Sequence, residues 1–251
     1  FGDVMFNGGL NGVYAKNKIL FWDEAPGAPD YQKSTGMPIG AGLVYKAVGI
    51  YQTQEEIDND PAHWPGARPG DIKFADINGD NKLDGNDRIR YNRTSVPTFT
   101  YGINLGAQYK GFDVTALLQG AMGGVFFQST ESGDFGNFLK SFYDNRWTEE
   151  NHSTSYPRTY NRSNEYWVNQ SNTFWIHSSD YIRLKNVEVG YTLPNVLTSK
   201  IKIERLRFYI NGYNLLTIAP CMKDYDPENT SGRGYNYPLS KIINFGASIT
   251  F

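Results

Sequence analysis

The stretch that decides the fold, residues 98–119, reads TFTYGINLGAQYKGFDVTALLQ. Apolar and polar residues alternate along it on both sides of Lys110 and Gly111. Because successive side chains of a β-strand point to opposite faces, the alternation predicts two strands, each with one apolar and one polar face. A tight turn joins them. The apolar face consists of Phe99, Tyr101, Ile103, Leu105, Ala107, Tyr109, Phe112, Val114, Ala116 and Leu118.

The length of the two strands indicates a membrane. A tilted strand of about 9 to 11 residues crosses a bilayer. Aromatic residues lie near the strand ends, as in the interfacial girdles of outer-membrane barrels; they are Phe99, Tyr101, Tyr109 and Phe112. We therefore expect the apolar face to contact lipid, and Asn104 and Gln108 to face a lumen.

Three other segments repeat this pattern. Residues 240–251 read SKIINFGASITF and alternate from Ile243 to Phe251, residues 206–216 alternate over their first half, and residues 181–191 alternate with an interruption at Arg183 and Lys185. Together with the hairpin they predict an all-β fold, with the strands of a large antiparallel transmembrane β-barrel and long loops.

Composition is compatible with such a barrel. The mean hydropathy is -0.52, and no apolar run approaches the length of about 18 residues that a membrane helix needs. Aromatic residues make up 15%, with 18 Tyr and 26 Gly, which favours strands and turns. The net charge of -2 gives no basic field for nucleic acid, so we expect no nucleic-acid partner.

Two long polar segments, residues 123–172 and 218–238, separate the strands. We expect a short helix within residues 137–146 of the first segment. If the final strand ends in the periplasm, strand parity places both segments and residues 49–94 outside, and the short turns in the periplasm. Aromatic side chains of the loops are candidates for stacking on substrate, or alternatively for packing within the loops. The best candidates are Trp147, Trp167 and Trp175.

One motif indicates a metal. Residues 76–87 read DINGDNKLDGND, which matches the ligand spacing of a twelve-residue calcium loop. Two departures are Asn81, where glycine normally makes the turn, and Asp87 in place of a bidentate Glu. The alternative is an acidic turn that hydrogen-bonds its own backbone. The predicted ligands of a structural Ca²⁺ are the side chains of Asp76, Asn78, Asp80, Asp84 and Asp87 and the carbonyl of Lys82.

Catalytic constellations are poorly supported. The histidines, at positions 63, 152 and 177, show no ligand spacing, and there is no nucleophile elbow or phosphate-binding glycine loop. We therefore expect a protein that is not an enzyme. The single cysteine, Cys221, allows no disulfide within the chain.

Five stretches in order resemble a known family. They are GMPIGAGLVYKAVGIYQTQEEIDNDP (36–61), PGDIKFADINGDNKLDGNDR (69–88), VPTFTYGINLGAQYKGFDVTALLQGAMG (96–123), SSDYIRLKNVEVGYTLP (178–194) and GYNLLT (212–217). They are similar to the C-terminal part of SusC/RagA-type TonB-dependent outer-membrane transporters of Bacteroidota. The resemblance covers nearly all of residues 1–251.

The resemblance implies an outer-membrane barrel of about 22 strands closed by a plug, of which this chain holds only C-terminal strands and their loops. It also implies a SusD-like surface lipoprotein as partner, a possible dimer of such pairs, and energy from TonB through a segment outside this chain. The implied function is uptake of oligomeric nutrients, oligosaccharides or peptides. From the same resemblance we expect Phe251 at the periplasmic rim, where it acts as an assembly signal.

Two alternatives share part of the pattern. A secreted carbohydrate-binding β-sandwich could combine alternating strands with a calcium loop, although its strands are commonly shorter. A passive porin would need neither a plug nor TonB. A requirement for detergent separates the first alternative from a transporter, and a plug encoded upstream separates the second.

Overall fold

The computed structural model describes residues 3–128, 139–160, 171–229 and 237–251. Its principal element is a six-stranded antiparallel sheet. In chain order the strands are β1 (Met5–Tyr14), β6 (Phe99–Tyr109), β7 (Phe112–Met122), β10 (Tyr181–Thr192), β11 (Arg205–Ile218) and β12 (Ile242–Thr250). They are also neighbours in this order across the sheet. The predicted all-β, antiparallel fold is confirmed.

Short elements fill the connections. Three two-stranded pairs form between β2 (Leu43–Tyr45) and β5 (Arg88–Arg90), β3 (Ala47–Ile50) and β4 (Ile72–Phe74), and β8 (Val125–Phe127) and β9 (Ile176–Ser178). The helices are α1 (Gln54–Asp58), α2 (Lys140–Asn145) and α3 (Asn195–Thr198). The helix expected within residues 137–146 is α2. In the described parts of the chain, no helix is long and apolar enough to span a membrane.

The β6–β7 hairpin has the register that its sequence predicts. Tyr109 pairs with Phe112 at the turn, and Phe99 pairs with Met122 at the far end. Lys110 and Gly111 connect the strands with φ of 45° and 87°. Positive φ at both central residues produces a turn whose twist matches the flanking strands. The hairpin of residues 98–119 is therefore confirmed, and its second strand continues three residues further.

A β-bulge explains the interruption in residues 181–191. Lys185 is an extra residue in β10, at a register shift between Leu184 and Asn186. A bulge moves the residues on its two sides into opposite phases of the pleat. Leu184 therefore lies on the same face as Val187, although the two are three positions apart in the sequence. The apolar face of the strand is continuous in space while its alternation is broken in sequence.

Strand β1 was not predicted from the sequence. Its sequence, MFNGGLNGVY, is rich in Asn and Gly, which are depleted in strands. Pairing with β6 places Phe6 opposite Ala107 and Leu10 opposite Ile103, so its apolar residues extend the apolar face. Asn7 lies on the other face against Gly106, where a Cβ atom would come within 1.9 Å of its Oδ1. The tertiary pairing therefore overrides a weak local preference.

The sheet leaves its apolar face exposed. Phe245 is 80% exposed and Phe208 49% exposed. Large apolar patches are rare on soluble monomers, whereas the strands of a membrane barrel present such a face to lipid. The opposite face carries polar residues, and we refer to the two sides as the apolar face and the polar face.

The long connections leave one end of the sheet. Residues 15–98, 123–180 and 219–241 connect strands at the end where Tyr14 pairs with Phe99 and Ile182 pairs with Ile218. The two-residue turn and residues 193–204, which contain α3, lie at the other end. The grouping expected from strand parity is therefore present. That the long connections are extracellular stays a prediction.

The long connections contain a packed core of their own. We call residues 43–90, 139–160 and 171–178 the loop module, where the described residues of two distant connections meet. Its core consists of Tyr45, Ile72, Phe74, Phe142 and Trp175. Phe142 lies within the segment 123–172, so the described residues of this segment contribute to a packed core.

Candidate functional site

The polar face of the sheet is rich in amide and hydroxyl groups. The register of the six strands places Asn104 and Gln108 on this face, as the alternation predicted. Their side chains share it with residues of every other strand in the sheet. These residues include Asn7, Asn11, Thr115, Gln119, Asn186, Tyr209, Asn211, Tyr213, Asn244 and Ser248. Such a face can remain hydrated and can form hydrogen bonds with an uncharged polar solute.

An ion cluster ties three strands together near the short-turn end. Arg207 of β11 forms two hydrogen bonds with Asp113 of β7, one of them 3.0 Å from Nε to Oδ1. Its Nη2 also lies 2.7 Å from Oε1 of Glu188 in β10. The guanidinium crosses over Gly190, where a Cβ atom would come within 2.2 Å of Nη2. The side chain is therefore fixed across the intervening strand by paired charge-assisted bonds.

A second ion cluster lies near the long-connection end of the same face. Arg183 of β10 contacts Asp226 at 2.8 Å and Glu228 at 3.3 Å. Lys185 lies 2.9 Å from Glu228, and the Tyr181 hydroxyl donates to the same carboxylate at 2.9 Å. The two acidic residues belong to the described first part of the connection between β11 and β12, residues 219–229, and hold it against the polar face. The sequence showed none of these pairings, because they depend on the bulge and on a loop returning to the sheet.

The structure buries two of the predicted tryptophans. Trp147 is 9% exposed, donates its Nε1 to Gln52 at 3.2 Å, and stacks on His152. Trp175 is 4% exposed in the core of the loop module. Trp167 lies outside the described residues. The role of these residues in contacting substrate stays a prediction, and the burial of Trp147 and Trp175 supports the packing alternative.

An exposed apolar groove is formed by residues that lie N-terminal to the loop module in the sequence. Leu20 is 84% exposed and Phe21 is 82% exposed, and with Trp22 and Ile39 they line a cavity of about 620 Å³. Sequence reasoning missed this groove, because its residues show no strand periodicity. The available signal was the run of four apolar residues at 19–22 within a polar segment.

The calcium-type loop is ordered by its own backbone amides. Asp76 accepts hydrogen bonds from the amides of Gly79 at 2.7 Å and Asn81 at 2.8 Å. The buried Asp87 accepts from Ile77 at 2.9 Å and from Asp84 at 2.8 Å. Asn81 has a φ of 63°, so it replaces the usual glycine in the left-handed conformation. These contacts are the ones that the acidic-turn alternative requires.

The chemistry of the loop still suits a cation. Burial raises the pKa of Asp76, but the amides of Asn81, Gly79 and Asp80 and the side chain of Asp87 bring it below its ordinary value. A carboxylate has about four lone-pair positions, so a backbone hydrogen bond does not exhaust its capacity. Among the described residues, no group of three or more His, Cys, Asp or Glu side chains is arranged to hold a metal. Calcium at Asp76, Asn78, Asp80, Lys82, Asp84 and Asp87 stays a prediction.

The histidines have local packing roles. His63 Nδ1 lies 2.6 Å from the carbonyl of Asp60, and His152 stacks on Trp147. His177 packs near Phe126, and burial lowers its pKa. The three histidines therefore occupy separate environments.

Comparisons with known proteins give a consistent result. No protein-family model matches the chain. The chain is 31% identical to TonB-dependent receptor P3 of Formosa agariphila, over 92% of this chain and 24% of that receptor. It is 26% identical to TonB-dependent receptor P26 of the same organism, over 94% of this chain and 26% of that receptor. It thus spans about a quarter of the length of these curated relatives.

Solved structures show the same architecture. The fold matches the RagAB peptide transporter with a TM-score of 0.67 at 20% identity, over 100% of this chain and 28% of that chain. It matches the RagAB peptide importer in the open-open state with a TM-score of 0.66 at 22% identity, over 100% of this chain and 27% of that chain. The resemblance to TonB-dependent receptors of the SusC/RagA type is therefore confirmed over nearly the whole chain.

Proposed function

We propose that this chain supplies C-terminal strands and outer connections of a TonB-dependent receptor that imports oligomeric nutrients across the outer membrane. The observation that carries the proposal is the two-faced sheet, with an exposed apolar face and a polar face rich in amide and hydroxyl groups. A β-sandwich would cover its apolar face with a second sheet, whereas Phe245 remains 80% exposed. Similarity to receptors rather than enzymes supports a role without bond cleavage.

The proposed substrate is an oligosaccharide or a peptide. The polar face offers amide and hydroxyl groups, and its ion clusters neutralise most of its charges internally. RagAB is described as a peptide transporter, which supports the peptide alternative. The neutral hydrogen-bonding surface also suits glycans, so both substrates belong to the proposal.

The proposed partners follow from the family. A SusD-like lipoprotein would lie over the outer connections, where residues 70–90, 123–172 and 218–238 shape the mouth. The exposed groove at Leu20, Phe21 and Trp22 provides apolar surface in the same region. TonB would act through a plug and a binding segment located elsewhere in the longer protein. Lipid would surround the apolar face, and two transporter–lipoprotein pairs would form a dimer.

A growth and uptake experiment tests this proposal. The full-length receptor is deleted and restored in its host, and uptake of fluorescent oligosaccharides and peptides is compared with that of a tonB deletion strain. We expect uptake of one substrate class to require both the receptor and TonB. Uptake that requires the receptor but continues without TonB would establish the passive porin instead.

We also propose a structural calcium ion in residues 76–87. The spacing of the side-chain oxygens and the left-handed Asn81 support it, and the external medium contains enough calcium for a weak site. The ion would order the segment that leads into β5 and thereby stabilise the loop module. Calcium titration of the purified receptor, with Asp76→Asn as the variant, tests this part separately from transport.

A further inference from the structure

The first residues of the β11–β12 connection fold back over the polar face. We call residues 219–229 the strap. Its Asp226 and Glu228 contact Arg183, and Glu228 also contacts Lys185 and Tyr181. Within the strap, the amide of Glu228 donates to Asp226 at 3.0 Å, which orients this carboxylate toward the sheet. The strap is thus joined to one strand, β10, by side chains from three positions.

Because these ion pairs are buried, they fix the strap firmly in its position against β10. The side chain of Arg183 is 1% exposed, that of Asp226 is 10% exposed and that of Glu228 is 20% exposed. A buried guanidinium requires compensation by nearby carboxylates, and removal of one partner leaves an unpaired charge in a poorly hydrated place. Each terminal nitrogen of Arg183 contacts a different carboxylate. Displacement of the strap would therefore break both pairs together.

The bulge in β10 supplies the second cation. Lys185 is the extra residue at the register shift, and a bulge redirects a side chain that would otherwise follow the pleat. Its Nζ lies within 3.1 Å of both oxygens of Glu228. The sheet thus presents two positive charges, and the strap covers them with two negative charges. Without the strap, the polar face would expose a cationic pair.

The other side of the strap contacts the loop module and β8. The Ser141 hydroxyl donates to Asp224 at 2.8 Å, and the ring of Tyr225 packs edge-on against Phe126 at a centroid distance of 5.7 Å. Met222 is buried. The strap is therefore held between the sheet and the loop module, with contacts in both directions.

We infer that the strap is a fixed constriction at the outer end of the passage, and that Arg183 is the positioning residue that holds it there. The inference rests on the proposed function, in which the polar face lines the passage. A solute entering from the long-connection end passes the strap before it reaches the amide-rich wall. The ion pairs both set the position of the constriction and conceal Arg183 and Lys185 from the solute.

The test uses Cys221, an exposed residue of the strap, as the site of a nitroxide spin label. The full-length receptor is placed in lipid nanodiscs, with any cysteine elsewhere replaced. We expect an immobilised spectrum in the parent and a several-fold larger mobile fraction in Arg183→Met. The control Lys223→Met alters an exposed cation of the same strap and should leave the spectrum unchanged.

A charge exchange distinguishes loss of the strap's ion pairs from a general loss of folding. Glu228→Lys should mobilise the label, and the double variant Lys185→Glu with Glu228→Lys should recover part of the immobilised spectrum, because it restores the 185–228 pair with reversed charges while Arg183 keeps Asp226. An immobilised label in both Arg183→Met and Glu228→Lys, in receptor that retains its heat-modifiable gel mobility, would overturn the inference. Because the spectra require no transport, loss of uptake in the parent would contradict the proposed function alone.

Discussion

The six-stranded sheet and the loop module place their large apolar residues in opposite environments. The loop module buries Ile72 and Phe142 completely within its own core, whereas the sheet leaves Phe245 and Phe208 on an exposed face. Apolar side chains are removed from water in both cases if the sheet lies in lipid. Under the proposed function, the loop module folds as a water-soluble domain does and the sheet folds as the wall of a membrane barrel does.

The largest expected effect concerns the core of the loop module. Phe142→Ala removes a ring that is buried between Tyr156 and Tyr160, and such truncations cost about 3 to 5 kcal/mol. We expect the loop module to become sensitive to protease while the sheet remains folded, as measured by limited proteolysis and mass spectrometry of the receptor. Tyr143→Ala, at an exposed neighbouring position, is the control. If the loop module of Phe142→Ala resisted protease as well as that of Tyr143→Ala, the loop module would not depend on a buried core of its own.

The apolar face should tolerate charge far less than the polar face. Ile103→Arg, at mid-strand, should cost about 2 to 4 kcal/mol in a bilayer, and Asn104→Arg much less. Ile103 pairs with Leu10 and Leu118 on the apolar face, whereas the adjacent Asn104 lies on the other side. Folding of the two variants into lipid vesicles under a denaturant series measures this difference. The same midpoint for both would contradict the assignment of the faces.

The ion cluster around Arg207, near the short-turn end of the polar face, should contribute less to stability than the two features above. Arg207→Met leaves Asp113 and Glu188 without their shared cation, and loss of such charge-assisted bonds costs about 1 to 3 kcal/mol. The side chains are partly exposed, so solvent reduces the penalty. We expect a lower denaturant midpoint without loss of membrane insertion. Arg205→Met changes a cation at the rim and serves as the control, and an equal shift in the two variants would contradict the cluster's role.

Calcium should stabilise only the loop module, and weakly. For a dissociation constant of about 1 mM, addition of about 5 mM Ca²⁺ stabilises by about 1 kcal/mol. We expect the unfolding temperature of the loop module to rise in the parent and to stay constant in Asp76→Asn. Asp58→Asn, outside the motif, should respond like the parent. A calcium response that persists in Asp76→Asn would place the ion elsewhere.

The terminal aromatic should affect assembly more than stability. Phe251 is 86% exposed and lies outside the cores formed by the described residues. Deletion of this residue should lower the amount of assembled receptor in the outer membrane and leave uptake per assembled molecule unchanged. Quantitative immunoblotting of heat-modifiable receptor measures the amount. Normal assembly after deletion would remove the proposed role at the periplasmic rim.

The sheet could be predicted from the sequence more completely than the loop module. Strand β6 alternates without a break, β7 and β12 alternate over most of their length, and the one-residue shift in β10 comes from the bulge at Lys185. Strand β1 could not be found by alternation, since Asn7 and Asn11 pack over glycines of β6 and only the paired strand makes that arrangement favourable.

The loop module and the ion clusters depend on contacts between distant residues. Tyr45, Phe142 and Trp175 come from separate parts of the chain, so their shared core has no periodic signal. Arg183 interrupts the alternation in sequence, yet its partners lie more than 40 positions away. Spacing did identify the ordered acidic loop, because residues 76–87 form most of their hydrogen bonds within the motif.

In the proposed barrel wall, one face of the sheet contacts lipid and the other contacts water. The most direct test places a nitroxide at residues 103, 104 and 105 in turn, in the full-length receptor in lipid bilayers, and measures collision rates with oxygen and with a water-soluble nickel chelate. We expect collisions with oxygen to dominate at positions 103 and 105, and collisions with the chelate to dominate at position 104. Equal accessibility at all three positions, or the reverse order, would contradict this assignment of the faces.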